Sequence, residues 1–152
     1  MQTGRADIVV FARDYPDTRL VVEVKSSVGI PPERDLAVRQ VSRYMWGSNC
    51  HFGLIVTPLE TFVLRDDFSR AGPESIRVTD VLSTTLLFSR LSRTWTPETN
   101  AREFEDVVRD WVERLASSYE SVLPDDPAVQ GAFFPDIVGA VANGRVVSEV
   151  AV

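Results

Sequence analysis

Residues 7–25 read D-I-V-V-F-A-R-D-Y-P-D-T-R-L-V-V-E-V-K. Two apolar runs, Ile8 to Phe11 and Leu20 to Val24, flank a polar turn of Asp14, Tyr15, Pro16, Asp17 and Thr18. Such a pattern predicts two antiparallel strands joined by a short loop. Glu23 and Lys25 lie two residues apart within the second strand, so they point to one face while Val22 and Val24 point to the other. Asp7 opens the partner strand and can face the same spot. Charged groups inside a β-branched strand cost free energy unless they are paired or used.

The chain has 152 residues, enough for one compact domain with a small appendage. Its apolar fraction of 44% and charged fraction of 25% are ordinary for a globular protein. No apolar run is long enough to span a membrane, and no secretory signal opens the sequence. A cytoplasmic location is expected on those grounds. One cysteine, Cys50, cannot form an internal disulfide, and Cys50 with His51 cannot build a zinc site of the usual kind.

Net charge is −6, which counts against gripping nucleic acid by bulk electrostatics. The excess is local. Residues 1–60 carry 7 acids and 7 bases, residues 61–95 carry 4 and 5, and residues 96–152 carry 11 and 4. Of the 16 basic residues 15 are arginine, and Lys25 is the one lysine. Arginine does not replace lysine where a compact point charge or a movable pKa is needed, so Lys25 is marked for chemistry.

A helix is expected from Pro32 to Trp46, with Leu36, Ala37, Val41, Tyr44 and Met45 as its apolar stripe. F-G-L-I-V at 52–56 suits a strand buried on both faces, and Thr61 to Leu64 suits another. Ile76 to Val78 reads as a short strand, and Thr79 as the N-cap of a helix from Asp80 to about Leu91. The clearest helix runs from Pro97 to Val122, capped by Thr96, with Phe104, Val107, Val108, Trp111, Val112 and Leu115 on one face and a solvated acidic face opposite. The tail reads as a helix over 135–142, an Asn143-Gly144 cap and a strand over 145–150, with a hairpin as the alternative. Its P-D-I-V and S-E-V-A echo the opening hairpin, but Ala151 stands where Lys25 would. Residues 1–95 thus form an α/β core and residues 96–152 a C-terminal helical extension packed on it.

Phosphodiester hydrolysis needs a divalent ion to neutralise the phosphate, an activated water and correct placement. Mg²⁺ prefers oxygen ligands. Asp7 and Glu23 supply two carboxylates, the Val24 carbonyl is a candidate third ligand, and Lys25 can orient or deprotonate the water. Asp7 followed by Glu23-Val24-Lys25 resembles the PD-(D/E)xK phosphodiesterase superfamily, with Ala6-Asp7 where many members have Pro-Asp. Gln40 and Tyr44 in Q-V-S-R-Y look like the Q-x-x-x-Y element of RecB-like nucleases and of the N-terminal domain of type I restriction-enzyme motor subunits. The likeness covers roughly residues 4–65.

The resemblance implies a restriction-endonuclease-like mixed sheet flanked by helices, a Mg²⁺ or Mn²⁺ cofactor and DNA as substrate, in restriction or repair. It implies catalytic Asp7, Glu23 and Lys25, metal ligands Asp7, Glu23 and Val24, and substrate-side Gln40 and Tyr44; Arg39 and Arg43 on the same helix can reach phosphates or stand as solvated charges. Family members usually place a helix and a first strand ahead of Asp7, whereas six residues precede it here. An unpaired edge at the first strand then leads to the expectation of a homodimer or a partner subunit, with the Trp111 face as one contact surface. Two other readings stay open: a non-catalytic binding or assembly module of the same fold, and an unrelated α/β protein whose trio is a structural ion pair.

Overall fold

The computed structural model describes residues 5–26 and 31–151. The sequence also reads residues 26–33 as a loop; of these, 27–30 lie outside the described residues and 31–33 already belong to a helix. The hairpin forms as expected: β1 (Arg5–Phe11) pairs antiparallel with β2 (Thr18–Val24), with Ile8 opposite Val22 and Val10 opposite Leu20. Helix α1 (Pro31–Gly47) carries the chain over one face of the sheet, so that β3 (Phe52–Val56) lies parallel to β2. Strand β4 (Glu60–Asp66) returns antiparallel to β3.

The next element departs from expectation. Strand β5 runs Ile76–Ser83, and only a short helix α2 (Thr84–Leu87) follows. Thr79 caps no helix. It is the extra residue of a bulge, where Asp80 opposes Val63 but Val78 opposes Leu64. The helix cap is Ser83, whose side chain accepts from the Leu86 N–H.

Residues 97–99 are also outside a helix. Helix α3 (Ala101–Val122) starts from Asn100, whose Oδ1 accepts the Glu103 N–H at 2.9 Å. Its Phe104, Val107, Val108, Trp111, Val112 and Leu115 are all buried, as the apolar face requires. Helices α4 (Pro127–Phe133) and α5 (Asp136–Val141) follow. Strand β6 (Arg145–Ala151) then pairs antiparallel with β1, with Val10 opposite Val146.

The result is one mixed six-stranded sheet in the order β5-β4-β3-β2-β1-β6. Val9, Val21, Ile55, Phe62 and Leu64 face α1. Ile8, Val10, Leu20, Val22, Leu54 and Val56 face α3, α4 and α5. Two expectations change. The outer edge of β1 is taken by β6 from the same chain, so it gives no cause for a partner strand. Trp111 is fully buried against Phe88 and Phe133, so the Trp111 face is an interior surface and offers no dimer contact. Among the described residues no helix is long and apolar enough to cross a membrane.

Candidate functional site

The hairpin opens at the end that carries the charges. Ile8 pairs with Val22, but Val24 donates its N–H to Oδ2 of Asp7 at 2.7 Å, taking a side chain where a ladder partner would stand. The N–H and C=O of one strand residue point to the same side, so the Val24 carbonyl also lies on the Asp7 side of β2. On the other side, Lys25 N–H bonds the Val56 carbonyl at 2.9 Å, which anchors the strand end to β3.

Asp7 and Glu23 stand close enough for the charge of Asp7 to act on the Glu23 carboxyl. Burial of Glu23, reinforced by the charge of Asp7, pushes its carboxyl up to about 8; Lys25 opposes the shift. Lys25 Nζ lies 3.7 Å from Glu23 Oε1, with side-chain exposures of 34% for Lys25 and 15% for Glu23. Burial and a second carboxylate therefore outweigh one partly exposed lysine. The Glu23 carboxyl therefore keeps its proton well above the usual carboxylate range.

Asp7, Val24 and Lys25 line a cavity of about 250 Å³. Ser26 and Pro58 continue its strand-end wall, and Pro97, Thr99, Ala101, Arg102, Phe104 and Glu105 form the opposite one. The turn before α3 shapes that second wall: Thr96 and Thr99 bond each other, the Thr96 N–H to Oγ1 and the Thr99 N–H to the Thr96 carbonyl. A larger cavity, about 640 Å³, lies between α3 and the turn into β6. Its Arg114 and Asp110 pair at 3.1 Å. The smaller cavity is the one that Asp7 and Lys25 line; Glu23 stands beside Lys25 without lining it.

The structure thus brings together Asp7, Glu23, Val24 and Lys25. It does not bring Gln40, Tyr44, Arg39 or Arg43 to the cavity. Gln40, Arg39 and Arg43 are exposed on α1. Tyr44 is buried among Ala37, Val41 and Met45, where burial and then the nearby Cys50 raise its hydroxyl pKa. Cys50 stands by Val21, at the middle of β2, roughly 13 Å of strand from Lys25 at 3.3 Å per residue. The Q-x-x-x-Y spacing places both residues along one side of the helix, but the buried stripe of Ala37, Val41, Tyr44 and Met45 takes the tyrosine inward.

Glu105 and Arg102 also lie on the cavity, although in the sequence they belong only to a solvated face and its flank. A signal is present for Glu105. It precedes Val108 by three and Val112 by seven residues, so it borders the buried face. It is half-buried, whereas Glu103, Asp106 and Glu113 are exposed. For Arg102 nothing in the spacing distinguishes it from any surface arginine. Among the described residues no group of three or more His, Cys, Asp or Glu is arranged to hold a metal ion. A cation at this site would therefore rest on the Asp7–Glu23 pair with backbone carbonyl and water. No family model, no curated protein and no solved structure matches this chain.

Proposed function

We propose that this chain is a divalent-metal-dependent phosphodiesterase of the PD-(D/E)xK kind, a nuclease acting on DNA in restriction or repair. The observation that carries the reading is the gathering of Asp7, Glu23 and Lys25 at the end of β2: Asp7 Oδ2 accepts the Val24 N–H, Lys25 Nζ lies 3.7 Å from Glu23 Oε1, and Asp7 and Lys25 line one cavity. Asp7, Glu23 and the Val24 carbonyl would hold one Mg²⁺ or Mn²⁺, a hard ion suited to an all-oxygen set. That ion supplies charge neutralisation at the phosphate and activation of water. A proton on Glu23 would compete with such an ion, so binding would strengthen as pH rises towards about 8. Lys25 Nζ, held beside Glu23, orients the attacking water and donates to the oxygen on which charge develops. Asp7 also fixes the end of β2 through the Val24 N–H. Gln40, Tyr44, Arg39 and Arg43 have no role in this reading.

The test is Mg²⁺- or Mn²⁺-dependent cleavage of DNA by the parent and by Lys25→Ala. Cleavage by the parent and its loss by at least about a hundredfold in the variant, the scale of losing a general acid–base group, is expected. Folded protein that cuts no DNA with either metal would turn the reading to a non-catalytic module of the same architecture. Equal activity in Lys25→Ala would place the chemistry elsewhere.

A further inference from the structure

Helix α1 buries Ala37, Val41, Tyr44 and Met45 against the sheet. On its opposite face Leu36, Arg39, Arg43 and Trp46 follow at steps of three, four and three residues and form one stripe, with Gln40 beside it. Leu36 is 51% exposed and Trp46 55%, and Arg39, Gln40 and Arg43 are exposed as well. The stripe is about 15 Å long, and its arginines stand about 6 Å apart along the helix axis. Among the described residues neither guanidinium has a hydrogen bond or an ion pair, although Asp35 stands one turn before Arg39. Helix α3 treats its arginines otherwise: Arg109 and Arg114 each pair with an acid four residues away. In α1 the residue at that spacing is a second arginine, and the two repel. One helix face thus keeps two unpaired like charges and two large apolar side chains in water. An anionic partner laid on the stripe relieves both costs.

The order of residues along the stripe decides what kind of anion it fits. Protein interfaces place apolar residues at the centre and charge at the rim. Here the guanidiniums and Gln40 hold the centre, and Leu36 and Trp46 the ends. A protein docked on this face would bury two charges in the middle of its contact. A nucleic-acid backbone matches the order: guanidiniums grip phosphate, and an aromatic ring packs on the nucleotide beside it. The topology also leads the stripe to the candidate site. Because β2 and β3 are parallel, α1 starts at the Lys25 end of the sheet and runs back along it. It covers the face from which Glu23 projects, since Glu23 stands opposite Ile55, which packs under α1.

We infer that the outer face of α1 is a DNA-docking surface, on which Arg39 and Arg43 bind backbone phosphates and Trp46 packs against the adjoining nucleotide. The choice of DNA rests on the nuclease reading above. These three residues bind and position; they take no part in the chemistry of Asp7, Glu23 and Lys25.

The experiment follows the fluorescence anisotropy of a fluorescein-labelled oligonucleotide, single-stranded and as a duplex, in metal-free buffer over a range of salt. The proteins are the parent, the double variant Arg39→Ala/Arg43→Ala, Trp46→Ala, and a control, Arg13→Ala/Arg70→Ala, which removes the same charge from exposed arginines elsewhere. The α1 double variant should bind about tenfold or more weaker and lose about 1.4–1.8 from the slope of log Kd against log salt, the share of two phosphate contacts. Trp46→Ala should bind about fivefold or more weaker with the slope unchanged, the mark of a lost stacking contact. The control should stay close to the parent. Thermal melting of all variants should match the parent, because the altered side chains are exposed. Equal weakening in the control would show bulk charge at work and overturn the inference, as would an unchanged affinity and slope in the α1 double variant. A parent that binds neither form of DNA would overturn it too. Cleavage with Mn²⁺ is scored separately. Lys25-dependent cleavage with a KM that the α1 double variant leaves unchanged would remove the docking surface and leave the nuclease reading standing. DNA held through the stripe by a parent that cuts nothing would keep the surface and remove the nuclease reading.

Discussion

Glu23 is the residue on which the proposed chemistry turns, and its environment has a measurable sign. Its carboxyl is pushed from 4.5 to about 8 by burial and by Asp7. The folded state therefore binds this proton more tightly than the unfolded state does. The associated stability is fully present below about pH 4.5 and is lost as pH rises to about 8. In metal-free buffer the melting temperature should fall across that window, and Glu23→Gln should remove the slope and melt higher than the parent at pH 8.5. A melting curve as pH-dependent in Glu23→Gln as in the parent would show that another group is responsible. On the proposed reading a divalent ion would take the place of the Glu23 proton, so saturating Mg²⁺ or Mn²⁺ should restore stability at pH 8.5 more than at pH 6. At a hundredfold excess over Kd the gain is about 2.7 kcal/mol, and Glu23→Gln should lose most of it. Asp7 separates structure from metal binding. Asp7→Ala leaves the Val24 N–H without its acceptor and should cost about 1–3 kcal/mol. Asp7→Asn keeps an acceptor oxygen, so its apo stability should stay close to the parent's while its response to metal falls. Equal losses in chemical denaturation of the two variants would show that Asp7 has no structural role.

The turns and strand ends decide where these groups stand, and they are also where the sequence is least legible. The opening hairpin, α1, β3 and β4 could be read because each carries an uninterrupted apolar pattern with a turn or a helix stop at its ends. Strand β5 could not. Its bulge at Thr79 interrupts the ladder where Thr79-Asp80 imitates a helix start, and local capping chemistry competes with a strand that only the partner β4 can stabilise. Thr96-Pro97 imitates a cap in the same way, and the true cap at Asn100 leaves Pro97 and Thr99 free to wall the cavity. Of the candidate site, the trio Asp7, Glu23 and Lys25 was legible from strand periodicity. The wall was not, because pairing of 97–105 with 7–26 is a long-range contact with no local signature. The turn into β6 offers a direct test. A Cβ on Gly144 would stand 2.6 Å from Val10 Cγ1 and 2.7 Å from the Phe11 carbonyl oxygen, and a backbone atom cannot step aside. Gly144→Ala should destabilise by about 1–3 kcal/mol. A change below about 0.5 kcal/mol in urea denaturation would mean that β6 does not seat on β1 in this register.

Taken whole, the chain uses both faces of one sheet, and the C-terminal third is half of the structure that buries it. The outer edge of β1 is paired with β6, and the face bearing Ile8, Val10, Leu20, Val22, Leu54, Val56 and Val63 is buried under α3, α4 and α5. Removing residues 96–152 would strip that face. At about 1.5–3 kcal/mol for each buried aliphatic side chain, those seven represent about 10–20 kcal/mol, as much as the entire stability of a typical domain, about 5–15 kcal/mol. A fragment of residues 1–95 should therefore not fold alone. It should lack a cooperative thermal transition, bind a dye specific for exposed apolar surface, and associate through the bare β1 edge. The intact chain should unfold in one transition, since α3 packs on the same strands that hold the charged trio. Trp111→Ala, which empties a fully buried site between Phe88 and Phe133, should lower that single transition by about 3–5 kcal/mol, without splitting it. Adding back a fragment of residues 96–152 to the first should recover the fold and, with it, the divalent-ion stabilisation. If residues 1–95 melt cooperatively by themselves, the C-terminal segment is an appendage, and the wall it lends to the cavity would be dispensable for binding a divalent ion.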